Sequence, residues 1–78
     1  MKLSVIVPTF NEAEGIQAFL LALSPMRTRG HEIIVADGGS SDPTISLAAN
    51  LADKIITAPK GRAAQMNAGA ALAKNPLL

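Results

Sequence analysis

The chain has 78 residues, a net charge of +1 and 49% hydrophobic residues, which is too apolar for a disordered segment and leaves room for one small aliphatic core at most. With no cysteine and a single histidine, it is excluded from disulfide, thiolate and multi-histidine zinc chemistry. Phe10 and Phe19 are its only aromatics and its Lys and Arg residues are isolated, so neither a base-stacking surface nor a basic face for nucleic acid or anionic membrane is present.

Residues 3–7 form an almost unbroken Val- and Ile-rich run, which predicts a strand buried on both faces, as in a parallel sheet. Pro8 is expected to stop its ladder pairing. Asn11 reads as a helix N-cap, with Glu14 three residues later at capping-box spacing. Ile16, Phe19, Leu20 and Leu23 recur at helical spacing as one apolar stripe, which Ser24-Pro25 ends. Residues 27–31 read as a polar connection with His31 at the surface, and residues 33–36 as a second buried strand. Asp37-Gly38-Gly39-Ser40-Ser41-Asp42-Pro43 is a loop and helix start, with Asp42 as N-cap and Pro43 as first helical residue. Ile45, Ala48, Ala49 and Ala52 mark the inner face of that helix. Residues 54–58 predict a shorter third strand and Pro59-Lys60-Gly61 a turn. Residues 62–74 predict a third helix, small on one side, with Met66 in the core; Asn75-Pro76 closes it.

Strands alternating with helices, without repeats or linkers, predict an α/β fold: a three-layer βαβαβα half of a Rossmann-like domain, with a parallel sheet in the order 3-2-1. No stretch reaches the ~20 apolar residues of a membrane span, and the first apolar run is too short for a signal-peptide core. The chain therefore reads as cytoplasmic, with membrane association left open for a longer protein.

In an open parallel sheet, ligands bind beyond the carboxyl ends of the strands. Residues 8–12, 37–42 and 59–62 reach that edge, and each turns polar or glycine-rich where an apolar strand ends. Asp37 can accept a hydrogen bond from a base N–H or a ribose hydroxyl there. Its alternative task, capping the turn with Ser40, is already met by Asp42. Gly38-Gly39 lets backbone approach a ligand closely. Arg62, at a helix start, has the fork that suits a diphosphate, whereas Lys60 reads equally well as a solvated turn residue. Phe10 either stacks on a base or staples the first helix, and Asn11 and Glu12 divide in the same way between ligand and cap. Gln65 and Asn67 either orient the third loop or are plain polar helix positions. There is no spaced-glycine dinucleotide fingerprint, no Walker-type Gly-Lys-Ser and no Ser-His-Asp set.

Val5-Ile6-Val7-Pro8-Thr9-Phe10-Asn11-Glu12 is similar to the opening strand and loop of family 2 glycosyltransferases with the GT-A fold. The run from Ile34 to Thr44 resembles that family's second-strand motif, usually Asp-Asp-Gly-Ser-x-Asp. Gly61-Arg62-Ala63-Ala64-Gln65-Met66-Asn67-Ala68-Gly69 resembles its third, an Arg followed by Asn-x-Gly on a helix, in a form that suggests a bacterial-type subgroup. Together the three motifs cover essentially the whole chain. Two departures bear on nucleotide preference: Ala36 stands where the family often has a first Asp, and Gly38-Gly39 adds a glycine.

The resemblance implies a nucleotide-sugar donor, with a UDP-sugar favoured. Pro8, Thr9, Phe10, Asn11 and Glu12 would line the base and ribose. Asp37, beside Gly38 and Gly39, would accept a hydrogen bond from the base, and Arg62 would lie near the base or diphosphate. A divalent ion, Mn²⁺ or Mg²⁺, is expected in the full-length enzyme on an Asp-x-Asp motif of the next strand. Residues 1–78 stop short of it. They are therefore expected to be the N-terminal nucleotide-binding part of a transferase domain, with no catalytic residue, no bound metal and no activity alone. The open edge of the first strand would invite pairing between copies. Two other functions stay open. One is a nucleotidyltransferase making nucleotide sugars, although its usual Gly-rich, Arg-containing first loop is here Pro-Thr-Phe-Asn-Glu. The other is a non-catalytic nucleotide-binding module.

Overall fold

A computed structural model describes residues 1–78. Its elements are β1 (Ser4–Thr9), α1 (Ile16–Ala22), α2 (Ser24–Thr28), β2 (Glu32–Asp37), α3 (Thr44–Ala48), β3 (Lys54–Thr57) and α4 (Arg62–Leu72). The three strands pair in parallel with β2 central, which is the expected 3-2-1 order. Every residue of β2 is buried, as its unbroken apolar run requires of a strand covered on both faces.

Side-chain alternation sorts the two faces. Val7, Ile33 and Val35 meet Ile16 and Leu20 of α1 and Ala48 of α3, with Val5, Leu47, Leu51 and Ile55 packed around them. Helix α4 covers the opposite face. It comes close because Gly69 lies over Ile6, where a Cβ would stand 2.5 Å from Ile6 Cγ2. The α/β fold with helices on both sides of the sheet is thus as the sequence predicts. No helix is long and apolar enough to cross a membrane.

Several local expectations are corrected. Pro8 lies inside β1, paired with Ala36, rather than ending it. Leu3 and Thr9 accept the N–H groups of Glu32 and Gly38, both at 2.9 Å, so odd-numbered residues of β1 turn their backbone groups toward β2. Even-numbered ones turn theirs outward. The N–H that Pro8 lacks would have faced the free edge, so no ladder bond is lost. Ser24-Pro25 separates two helices instead of opening a loop: Pro25 sits in the first turn of α2, which takes in Arg27 and Thr28. His31 is half-buried, its Nδ1 accepting the Leu3 N–H at 3.0 Å. The inner face of α3 is formed by Thr44, Leu47 and Ala48, while Ala49 is exposed. Helix α4 ends at Leu72, and Met66 is only half-buried.

The outer edge of β1 is shorter than expected. Leu77 bridges Ser4 in parallel, with Ser4 N–H donating to Pro76 O (2.8 Å) and Leu78 N–H to Ser4 O (3.0 Å). A buried polar cluster anchors this return at the N-terminal pole of the sheet. Glu32 Oε1 accepts from Ser4 Oγ (2.6 Å) and Lys74 N–H (3.0 Å), and Glu32 Oε2 pairs with Lys54 Nζ at 2.8 Å. Burial alone would push the Glu32 carboxyl up. The hydrogen bonds from Lys54, Ser4 and Lys74, with the Lys54 charge, outweigh it and hold the pKa at about 2. Beside β1, under α1, lies an apolar cavity of about 220 Å³ lined by Ile6, Pro8, Ile16, Phe19 and Leu23.

Candidate functional site

At the opposite pole, where the strands end, three loops meet. They cover residues 10–15, 38–43 and 58–61. Asp37, the last residue of β2, is fully buried and holds the centre. Its Oδ1 accepts from Thr9 Oγ1 (2.7 Å) and Ser40 Oγ (2.6 Å); its Oδ2 accepts from Gly39 N–H (3.0 Å) and Ser40 N–H (2.7 Å). Burial would raise the Asp37 pKa, but the bonds from Ser40, Thr9 and Gly39 outweigh it and hold the carboxyl below the usual range. Asp37 was expected to offer an oxygen to a base. In the structure four protein donors fill both oxygens, and Asp37 instead shapes the loop that follows it. Thr9 is likewise buried and committed to Asp37.

Asn11 does not cap α1, which begins at Ile16 after an uncapped Gly15. It adopts φ +49°, a left-handed conformation that Asn tolerates better than most residues. Its side-chain oxygen accepts from Ser41 N–H (2.8 Å) and Asp42 N–H (3.3 Å), while its own N–H donates to Ser40 Oγ (2.8 Å). Glu12 N–H donates to Thr44 Oγ1 and Ala13 N–H to Asp42 Oδ2, at 2.8 and 3.0 Å. The first and second loops are thereby laced together. Asp42 also accepts the Thr44 N–H at 3.0 Å and the Thr44 hydroxyl, but α3 begins at Thr44, so Pro43 rather than Asp42 occupies the N-cap position and is not the first helical residue as expected. The Thr44 hydroxyl bond, more than any other contact, lowers the Asp42 pKa.

The third loop is held by Gln65, the only buried polar side chain of α4. Its Nε2 donates to Thr9 O (2.8 Å) and Ala36 O (2.9 Å), and its Oε1 accepts the Gly61 N–H (3.0 Å). Gly38 is buried directly beneath: a Cβ there would stand 3.0 Å from Gln65 Oε1. Asn67, the other polar residue weighed on that helix, is exposed. Gln65 in an alanine-rich helix was the visible signal, but the sequence could not tell an inward amide from an outward one.

The remaining expected residues surround this scaffold. Pro8 and Phe10 are half-buried, and Lys60 Nζ lies 4.0 Å from the Phe10 ring centroid, joining the first and third loops. Glu12 and Arg62 are exposed, and neither takes part in a salt bridge. Gly39 (φ +89°) and Gly61 (φ +147°) have open space where a Cβ would point, so backbone is accessible at both loop tips. The carboxylates do not fit a divalent ion: Asp37 and Asp42 use their oxygens on protein donors, and no group of three metal-ligating side chains is gathered.

A family model described as Glycosyl transferase family 2 matches residues 4–78. No solved structure matches the chain.

Proposed function

This chain belongs to glycosyl transferase family 2, and we propose that its loop cluster binds the nucleotide part of a nucleotide-sugar donor, with UDP the favoured nucleotide. Family membership supports glycosyl transfer as the general class and favours it over nucleotidyl transfer. The observation that carries the binding reading is the lacing of three loops at the carboxyl edge of the sheet, with Gly39, Gly61 and Arg62 open to solvent at their tips. That is where an open parallel sheet receives its ligand.

In this reading the base and ribose lie against Pro8, Phe10, Asn11 and Glu12, with Thr9 and Asp37 fixing the shape behind them. Gly39 brings backbone close to the ligand, and Gly38, buried beneath Gln65, supports it from behind. The Arg62 guanidinium, on the first residue of α4, faces the diphosphate, and helix N-terminal N–H groups favour the same charge. Lys60 adds a second cation within reach of Phe10. A divalent ion such as Mn²⁺ or Mg²⁺ would stabilise the leaving diphosphate as a Lewis acid, but it would take its ligands from residues other than these. No residue of this edge is assigned a catalytic role. The reading therefore gives these residues the donor-nucleotide half of a transferase domain, unable to transfer sugar alone. Association between copies along β1 is not required: within the strand, the return at Ser4 and the missing N–H of Pro8 leave the Ile6 N–H as the free donor.

Calorimetric titration with UDP, ADP and GDP, each with and without Mn²⁺, tests this reading. UDP is expected to bind more tightly than the purine nucleotides, with an affinity that hardly responds to the ion. Equal affinity for all three would remove the base preference, and no binding by a folded sample would remove the nucleotide site.

A further inference from the structure

Gln65 is the one side chain bonded to the ends of β1 and β2 and to the turn that opens α4. Thr9 O is the end of β1, Ala36 O lies next to the end of β2, and Gly61 N–H opens α4. Gln65 is only 5% exposed, so these bonds are formed away from water and an unmet partner would be costly. The chemistry suits an amide and not its near isosteres. Both carbonyls accept a hydrogen bond from Gln65, Thr9 O in addition to that from the Gly38 N–H, and the Gly61 N–H needs an acceptor. A carboxylate would set negative oxygen against two carbonyl oxygens, and a thioether would satisfy none of the three.

Space for the amide depends on Gly38. An alanine there would press on the carboxamide, with Oε1 at 3.0 Å, Cδ at 3.1 Å and Nε2 at 3.2 Å from the added Cβ. The second strand-to-loop junction thus lacks a side chain where α4 supplies one. Gly38 and Gln65 form a pair whose effect is to fix the separation of the three loops.

We propose that Gln65, with Gly38 beneath it, is the positioning residue of the donor site: it sets the spacing between the loop that faces the base and the turn that faces the diphosphate. This rests on the nucleotide reading above. Gln65 does not touch the ligand, so its contribution is to preorganise the cleft that receives it.

The test compares Gln65→Glu and Gly38→Ala with Glu32→Gln, a change at the far pole that destabilises the fold without approaching the loops. Urea unfolding gives the stability of each chain, and UDP titration gives the affinity of the folded fraction. Both cleft variants are expected to bind UDP about tenfold more weakly, and Glu32→Gln to bind as the parent does. Amide NMR shifts without ligand supply a second readout. Gln65→Glu is expected to move Phe10, Gly39 and Gly61 together. If the cleft variants lose stability but keep full UDP affinity per folded molecule, Gln65 is merely structural and the proposal is overturned. Should the parent chain fail to bind UDP, the nucleotide reading falls, and the shifts alone decide. Movement in all three loops supports the spacing role, and movement confined to residues near Gly61 overturns it.

Discussion

Replacing Asp37 separates the value of its shape from that of its charge. Two of its donors, the Thr9 and Ser40 hydroxyls on Oδ1, can rotate and accept; the other two, Gly39 and Ser40 N–H on Oδ2, cannot. In Asp37→Asn, the amide should turn its oxygen to the two N–H groups and its NH₂ to the two hydroxyls. All four contacts then survive and only the charge assistance is lost, about 1–2 kcal/mol. Asp37→Ala orphans four donors. Thr9 is buried, while Ser40 is partly open and can recruit water, so a loss of about 3 kcal/mol follows. A core of this size rarely supplies more than about 3–5 kcal/mol, so the alanine variant should be largely unfolded and the asparagine variant folded. Urea denaturation followed by circular dichroism at pH 7 measures both. The folded-state pKa of Asp37 is depressed, so its stabilisation is present above the ordinary carboxylate pKa and is lost as pH falls below it. The asparagine variant should lack that acid-dependent component. Equal damage from Asn and Ala would show that the hydroxyls do not turn.

Glu32 gives a second pH signature. Its pKa of about 2 lies below the ordinary 4.5, so it contributes about 3 kcal/mol above pH 4.5, and this is lost as pH falls toward 2. Glu32→Gln should destabilise the chain by about 2–3 kcal/mol at neutral pH, since Lys54 can reach water once unpaired. The difference from the parent, measured by urea unfolding, should shrink across that window; a constant gap from pH 7 to 2 would falsify the assignment. Gly69→Ala should cost about 1–3 kcal/mol through overpacking against Ile6, despite alanine's better helix propensity. In an Ile6→Ala background the same substitution should be close to neutral in thermal melts.

Much of the fold was legible because its signals are local. Apolar runs marked the strands, and their alternation with helical stretches implied a parallel sheet. Boundaries were less secure where two rules competed. Pro8 reads as a strand stop unless the direction of its missing N–H is known, and that depends on which neighbour β1 pairs with. Asn11 and Glu14 match a capping box, yet Asn11 is recruited by Ser41 and Asp42, some thirty residues away. Sequence spacing cannot show such long-range bonds. The loops themselves were found correctly as the polar ends of apolar strands. The state of their side chains was not: nothing in the run Asp37-Gly38-Gly39-Ser40 reveals that the carboxylate is saturated from within, or that Gln65 fills the space above Gly38.

The most direct measurement is NMR shift mapping of the intact chain during titration with UDP. Perturbation of Phe10, Asn11, Glu12, Gly39, Ser40, Gly61 and Arg62, with Glu32 and Lys74 unmoved at the far pole, is the expected result. Shifts centred on the cavity beside β1, at Ile16, Phe19 and Leu23, or spread evenly over the chain, would contradict a nucleotide site at the carboxyl edge of the sheet.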